Sequence, residues 1–283
     1  IRTDNHDIVE PGSIEADSVA HCGGSLLGDL VWSVNLTDIV SQWTQTRAVW
    51  NKGQHGVVSA IANMEAALPF ALRSVDIDNG SEFLNEILEA YLLKRKRSIE
   101  WTRSRAYKKN DQAHVEQKNF THVRQLLGYG RFGDLALKAM VDELYEKAWL
   151  PMRNYFTPVM KLVSKERIGG KVRKKYDKPA SPCDRLLACE KVSEATKKQL
   201  RKKRSELDPL ELAEEVERRL SEIFQIVERI EEERWEERER AGESREGVGD
   251  FSAGADYVAA AVAPAPCAFT ASAPAEKLVK TPP

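Results

Sequence analysis

The chain has 283 residues, 42% hydrophobic and 31% charged, enough for one sizeable core carrying solvated extensions. Its formal net charge of −1 hides an asymmetry: residues 150–204 hold seventeen Lys and Arg against five acids, and acids outnumber bases again over 205–247. No run of about 18 apolar residues is long enough to span a bilayer as a helix, and no signal peptide is recognised; the four cysteines (Cys22, Cys183, Cys189, Cys267) form neither a CxxC pair nor a disulfide framework.

Residues 1–13 read as a polar leader ending near Pro11-Gly12, and a chain beginning at Ile1 reads as truncated or processed. Three strands are predicted in close succession, at Ile14–Ala20, Leu30–Leu36 and Thr46–Trp50, the second by its period-2 alternation of Leu30, Trp32, Val34 and Leu36. Helical spacing over 54–68 follows, ended by Pro69. Phe70–Asp78 is a fourth strand running into Asn79-Gly80, and Phe83, Leu84, Ile87, Leu88, Tyr91 and Leu92 form the stripe of a second helix. Ile99–Arg103 is a fifth strand, and helices are predicted over 111–127 and 134–153. Tight turns make the first three strands antiparallel, and helical crossovers make the last two parallel. The fold class is therefore α/β: a mixed five-stranded sheet flanked by helices over a core of residues 14–157, with a basic arm and a C-terminal helix following it.

Beyond Pro158 the pattern loosens into a basic, irregular arm (158–205), whose Lys171, Arg173, Lys174 and Lys175 are candidate nucleic-acid contacts. The segment 206–240 has Ala213, Val216, Leu220, Ile223, Val227 and Ile230 at steps of three and four. That seam predicts either a helix packed back on the core or a contact between subunits. The Ala/Pro-rich tail 241–283 is expected to be disordered.

Three carboxylates fall at suggestive places in this layout. Asp17 lies in the first strand, and Asp78 at the end of the fourth, before the Asn-Gly turn; Asp76 on the same strand face competes with it. Glu116 begins the long helix on a line with Ala113, Phe120, Val123 and Leu127, which is expected to face the core and place it at the rim of the sheet. A carboxylate on such a line is costly unless a cation neutralises it. Arg103, Arg105, Lys108, Lys109, Lys118 and Arg124 around it are candidate contacts to DNA phosphates. Simpler readings hold elsewhere: Glu82 complements a helix dipole, Asp38 serves a turn, and the adjacency of His21 and Cys22 is incidental.

Glu15-Ala16-Asp17, the run Asp78-Asn79-Gly80-Ser81-Glu82-Phe83, and Lys109-Asn110-Asp111-Gln112-Ala113-His114-Val115-Glu116-Gln117-Lys118-Asn119 resemble the three acidic motifs of the retroviral-integrase-like DDE transposases, bacterial insertion-sequence enzymes above all. The likeness covers residues 10–150 and reaches towards 225. It implies a ribonuclease-H-like fold and two Mg²⁺ ions (Mn²⁺ as substitute) on Asp17, Asp78 and Glu116. It also implies DNA strand cleavage followed by strand transfer, with transposon ends and target DNA as partners, a homo-oligomer, and a bacterial cytoplasmic, nucleoid-associated location. Such relatives carry DNA-binding helical domains ahead of the core, for which this chain has no room. A ribonuclease-H-like nuclease that only hydrolyses, and a truncated DNA-binding remnant without catalysis, are the alternatives.

Overall fold

The structure, a computed structural model, describes residues 8–77, 86–93, 99–103 and 112–240. Its centre is a five-stranded sheet built from β1 (Ser13–Ala20), β2 (Val31–Asp38), β3 (Thr44–Trp50), β4 (Ser74–Ile77) and β5 (Glu100–Arg103), in the order β3-β2-β1-β4-β5. β1, β2 and β3 form an antiparallel meander, and β4 and β5 run parallel to β1. This order and these directions are those of the ribonuclease-H-like fold expected from the sequence.

The meander follows from period-2 sequence and short connections. At its start, Gly12 sits at φ +120°, where a Cβ would collide with the Ala71 carbonyl. Its N–H donates to Asp38 Oδ1 (2.8 Å), while the Ser41 N–H and hydroxyl donate to Oδ2 (both 2.6 Å). Asp38 is thus the turn residue the sequence suggested, and its burial, only partly offset by these bonds, raises its pKa. β4 is shorter than expected: Phe70 and Leu72 precede the strand and still pack on the core.

The two faces of the sheet differ in chemistry. One face presents Ile14, Ala16, Val34, Leu36, Val49, Val75 and Ile77 to α1 (Gln54–Ala66) and α2 (Glu86–Leu93) in a continuous apolar cluster. The other carries Glu15, Asp17, Ser33, Asn35, Thr37, Thr44 and Thr46, the alternate residues of the same strands. Two long helices lie over this polar face. The helix α3 spans 113–127, with a π-helical segment Asn119–Arg124, and α4 spans 135–155, with a π-helical segment Tyr145–Trp149. The two π segments meet, because the Trp149 indole N–H donates to the His122 carbonyl (2.9 Å) and the two rings pack edge to face.

α4 also closes the outer edge of β3. Asp142 Oδ1 accepts the Ala48 N–H (2.6 Å), and the Asn154 side chain both accepts the Thr44 N–H (3.0 Å) and donates to the Thr44 carbonyl (2.8 Å). The Asn154 amide therefore completes the strand where another strand would have paired. Asn154→Ala leaves two buried backbone groups without partners and is expected to destabilise by about 2 kcal/mol, read as a lowered urea midpoint at unchanged slope.

After the core the arm is folded, which corrects the expectation of an irregular segment. Leu162–Ile168 and Lys171–Tyr176 pair as an antiparallel hairpin, β6–β7. The helices α5 (Pro182–Ala188) and α6 (Glu194–Ser205) follow, each opened by a serine N-cap, Ser181 and Ser193. The long helix α7 (Pro209–Arg240) resolves the heptad-like seam. Val216, Leu220, Ile223 and Val227 are buried against α4, Leu126, Leu127, Val31 and Ala48. These four positions of the stripe are filled within the chain, as in a helix packed back on the core. Among the described residues no helix is long and apolar enough to cross a membrane, and Cys22, Cys183 and Cys189 are free thiols.

Candidate functional site

The polar face of the sheet converges on Asp17. Strand pairing sets Asp17 beside Asn35, and Asn35 beside Thr46. Thr46 Oγ1 donates to Asn35 Oδ1 (2.6 Å), Asn35 Nδ2 donates to Asn119 Oδ1 (2.5 Å), and Asn119 Nδ2 donates to Asp17 Oδ2 (2.5 Å). Every donor in this relay points towards the Asp17 carboxylate, so each bond polarises the next. The Ser18 N–H donates to the other oxygen, Oδ1 (2.7 Å). The result is a half-buried carboxylate fixed in orientation by charge-assisted bonds.

The same face holds α3 in place. Glu15 is fully buried two residues before Asp17 on one side of β1, and its Oε2 accepts the backbone N–H groups of His114 and Val115 (both 2.9 Å). A strand carboxylate thus takes the first amides of a helix, where the helix dipole favours negative charge. Gln112 Nε2 adds a longer bond to the Ala16 carbonyl (3.4 Å), and His114 Nδ1 meets Gln42 Nε2 (3.0 Å) in the β2–β3 turn. His114 therefore tethers the helix start to that turn.

Glu116 falls on the exposed side of α3, not on the core-facing line. Ala113 and Phe120 are exposed with it, whereas Val115, Lys118, His122, Val123, Leu126 and Leu127 are buried. The buried stripe is offset from the expected one because the polar residues Lys118 and His122 belong to it. Glu116 and Asn119, three apart, share one side of the helix. Since Asn119 touches Asp17, the turn carrying Glu116 lies over the Asp17 strand.

The other expected residues divide. Asp78 lies outside the described residues, as do Arg105, Lys108 and Lys109. Asp76 stands in the row Glu15–Asp76–Thr102 across β1, β4 and β5, 3% exposed, with its Oδ1 accepting from Thr102 Oγ1 (2.6 Å). Lys118, expected to contact phosphate from the surface, is 2% exposed, a correction of that reading. Burial first, then the neighbouring Arg153 and Arg185, push its ammonium down to about 7. Arg153 lies over the Trp149 ring (5.1 Å), and burial brings it down to about 10. Arg124 is half-buried over the Tyr129 ring (4.9 Å), and Arg103 is exposed over Trp101 (5.3 Å). Lys171, Arg173, Lys174 and Lys175 are all exposed on β7. His21 is buried, with Nε2 on Ser33 Oγ (2.8 Å), apart from Cys22 chemistry as expected.

Two residues at this site were not singled out from sequence, Glu15 and Asn119. Both had a signal: Glu15 shares the period-2 face of Asp17, and Asn119 shares the helical side of Glu116. Among the described residues no three His, Cys, Asp or Glu side chains gather as a metal centre. Asp17 and Glu116 each supply hard carboxylate oxygens of the type that suits Mg²⁺.

No family model matches the chain. It is 43% identical over 175 residues to the uncharacterized protein y4rM of Sinorhizobium fredii (strain NBRC 101917 / NGR234), a match covering 62% of this chain and 49% of that protein. The chain thus spans about half the length of this curated relative. Among solved structures it is similar to a chain of the simian T-cell lymphotropic virus intasome in complex with PP2A regulatory subunit B56 gamma (TM-score 0.38, 16% identity, 45% of this chain and 44% of that one). It is also similar to the HTLV-2 integrase catalytic core domain in complex with magnesium (TM-score 0.34, 15% identity, 42% and 71%). The catalytic core domain of BIV integrase is a third (TM-score 0.32, 15% identity, 42% and 70%). The fold assignment rests on the strand order and directions given above.

Proposed function

We propose that the chain is the catalytic region of a DNA transposase of the integrase type, with Asp17, Asp78 and Glu116 as ligands of two Mg²⁺ ions. The observation that carries this reading is the bond from Asn119 to Asp17, which joins the helical turn of Glu116 to the central strand of a ribonuclease-H-like sheet. Ions held by these three carboxylates would supply Lewis-acid stabilisation to an in-line phosphoryl displacement. The protein's own part is positional. Asn119 and the Ser18 amide hold Asp17 in one orientation, Glu15 fixes the start of α3, and Glu116 projects from that helix on its solvent side. In the first step water attacks a backbone phosphorus and the P–O3′ bond breaks, freeing a 3′-hydroxyl. In the second that hydroxyl attacks a target phosphodiester, joining the strands and releasing a new 3′-hydroxyl.

The test is Mn²⁺-dependent nicking and joining of supercoiled plasmid by the chain and its Asp17→Asn and Asp78→Asn variants. The expected result is nicked and joined product from the unaltered chain and a loss of at least about a thousandfold in each variant, roughly 4 kcal/mol of transition-state stabilisation. Nicking without joined product would reduce the reading to a hydrolytic nuclease. Salt-sensitive DNA binding without turnover would reduce it to a DNA-binding remnant.

A further inference from the structure

The β6–β7 hairpin stands apart energetically from the rest of the chain. Every residue of its two strands except Ser164 is exposed, so neither face packs on the core. A two-stranded ribbon exposed on both faces is marginal in water by itself. Its charges are unbalanced: Lys165 lies directly opposite Lys174, a destabilising like-charge pair, and only Glu166, opposite Arg173, offsets the excess of cations. The strands carry Lys165, Arg167, Lys171, Arg173, Lys174 and Lys175 against the single acid Glu166, and none of these cations forms an ion pair among the described residues. α6, which is as rich in cations, differs: Lys197, Arg201, Lys202 and Arg204 all face acids.

The base of the hairpin is rigid where the blade is bare. Val159 and Ala180 form a bridge, and Lys161 and Asp177 bond through N–H to Oδ1 (2.7 Å) and N–H to carbonyl (3.0 Å). Arg185 clamps Asp177 and the Val159 carbonyl (2.8 Å). Lys161 Nζ reaches the Val40 carbonyl (3.0 Å) in the β2–β3 turn, the same turn that holds His114 at the start of α3. The ribbon therefore leaves the core beside the helix that bears Glu116.

We propose that β6–β7 is a DNA-binding ribbon that seats on duplex DNA next to the active site, an inference that rests on the reading of the chain as one that acts on DNA. Its acid-free face is Lys165, Arg167 and Lys174, brought to one side by the pairs Lys165–Lys174 and Arg167–Val172. This face meets the phosphates. The B-DNA major groove admits a two-stranded ribbon, whereas that of A-form RNA is too deep and narrow to be read. Bound phosphates would relieve the repulsion that the hairpin carries when alone.

The test measures binding to a duplex DNA oligonucleotide in EDTA over a series of salt concentrations, for the unaltered chain and the triple variant Lys165→Ala/Arg167→Ala/Lys174→Ala. All three altered positions on the ribbon are exposed, and unchanged thermal melting verifies the fold. The expected result is a salt slope shallower by about 0.9 per lost contact and binding weaker by about a hundredfold near 0.1 M salt. An unchanged slope in the triple variant, or tighter binding to duplex RNA, would overturn the proposal while leaving Asp17-dependent nicking intact. Loss of self-association with DNA binding retained would also overturn it, assigning the ribbon to the acidic far end of α7 in a second copy. Conversely, a reduced slope alongside Asp17-independent nicking would uphold the ribbon and sink the proposed active site.

Discussion

Glu15→Ala is expected to destabilise the protein by about 3 kcal/mol. Glu15 has no exposed surface and accepts the His114 and Val115 amides, so truncation leaves two helix-initial N–H groups facing an apolar gap. Glu15→Gln keeps a carbonyl acceptor but not the charge that complements the helix start, so its loss should be about half as large. Urea titrations would rank the unaltered chain above Gln and Gln above Ala. Hydrogen exchange adds a local readout, because the amides of His114 and Val115 should lose protection in the alanine variant. If they stay protected, the anchoring role assigned to Glu15 is wrong. Because the start of α3 also sets the position of Glu116, DNA nicking should fall in the same order.

The second large effect is loss of stability in mild acid. Burial, with Arg124 next, brings His21 down to about 3, and burial, with Arg153 and Lys118 next, holds His122 well below its usual value. Both rings are neutral in the folded protein at neutral pH. In the unfolded chain each binds a proton below about 6.5, so there the unfolded state holds more protons and stability falls as pH falls. The slope is about 1.4 kcal/mol per pH unit for each ring, and the two together remove about 4 kcal/mol between pH 7.5 and 5. Lys118 acts mainly above this window, between about 7 and its ordinary 10.5, and adds to the loss only at its upper edge, with the same sign. The lowered carboxylates Asp177 and Asp184 act below their ordinary 3.8. His122→Gln should remove about half of the pH dependence in urea titrations at pH 7.5 and 5. A pH dependence unchanged by His122→Gln would show that this ring is not held neutral, the opposing contribution of the raised Asp38 being common to both chains.

Much of the fold was legible because its signals are local. Period-2 alternation and Gly turns marked β1 to β3, and the helical stripes between strands implied the parallel pair. Misplaced details came from residues whose role depends on distant partners. Phe70 and Leu72 alternate like a strand but owe their burial to packing beside β4. The phase of α3 was misread because two of its buried positions are Lys118 and His122, which no hydrophobic pattern records. In the hairpin, cations on both faces erase alternation, and only Gly169-Gly170, with Gly169 at φ +61°, marked the turn. At the candidate site the acidic motifs pointed to Asp17 and Glu116. The relay from Thr46 through Asn35 and Asn119 depends on strand register, which sequence spacing does not supply.

The π-helical segment Asn119–Arg124 divides α3 into two pieces that need not share a phase. Leu126 and Leu127 lock the far piece into the core, whereas Glu15 locks the near piece against β1. Both ends being held, the segment between them is where the helix can absorb a mismatch of one residue in phase, about 100° in an α-helix, without releasing either anchor. The wider turn of the π segment thus lets one continuous helix satisfy two locks set by different parts of the molecule.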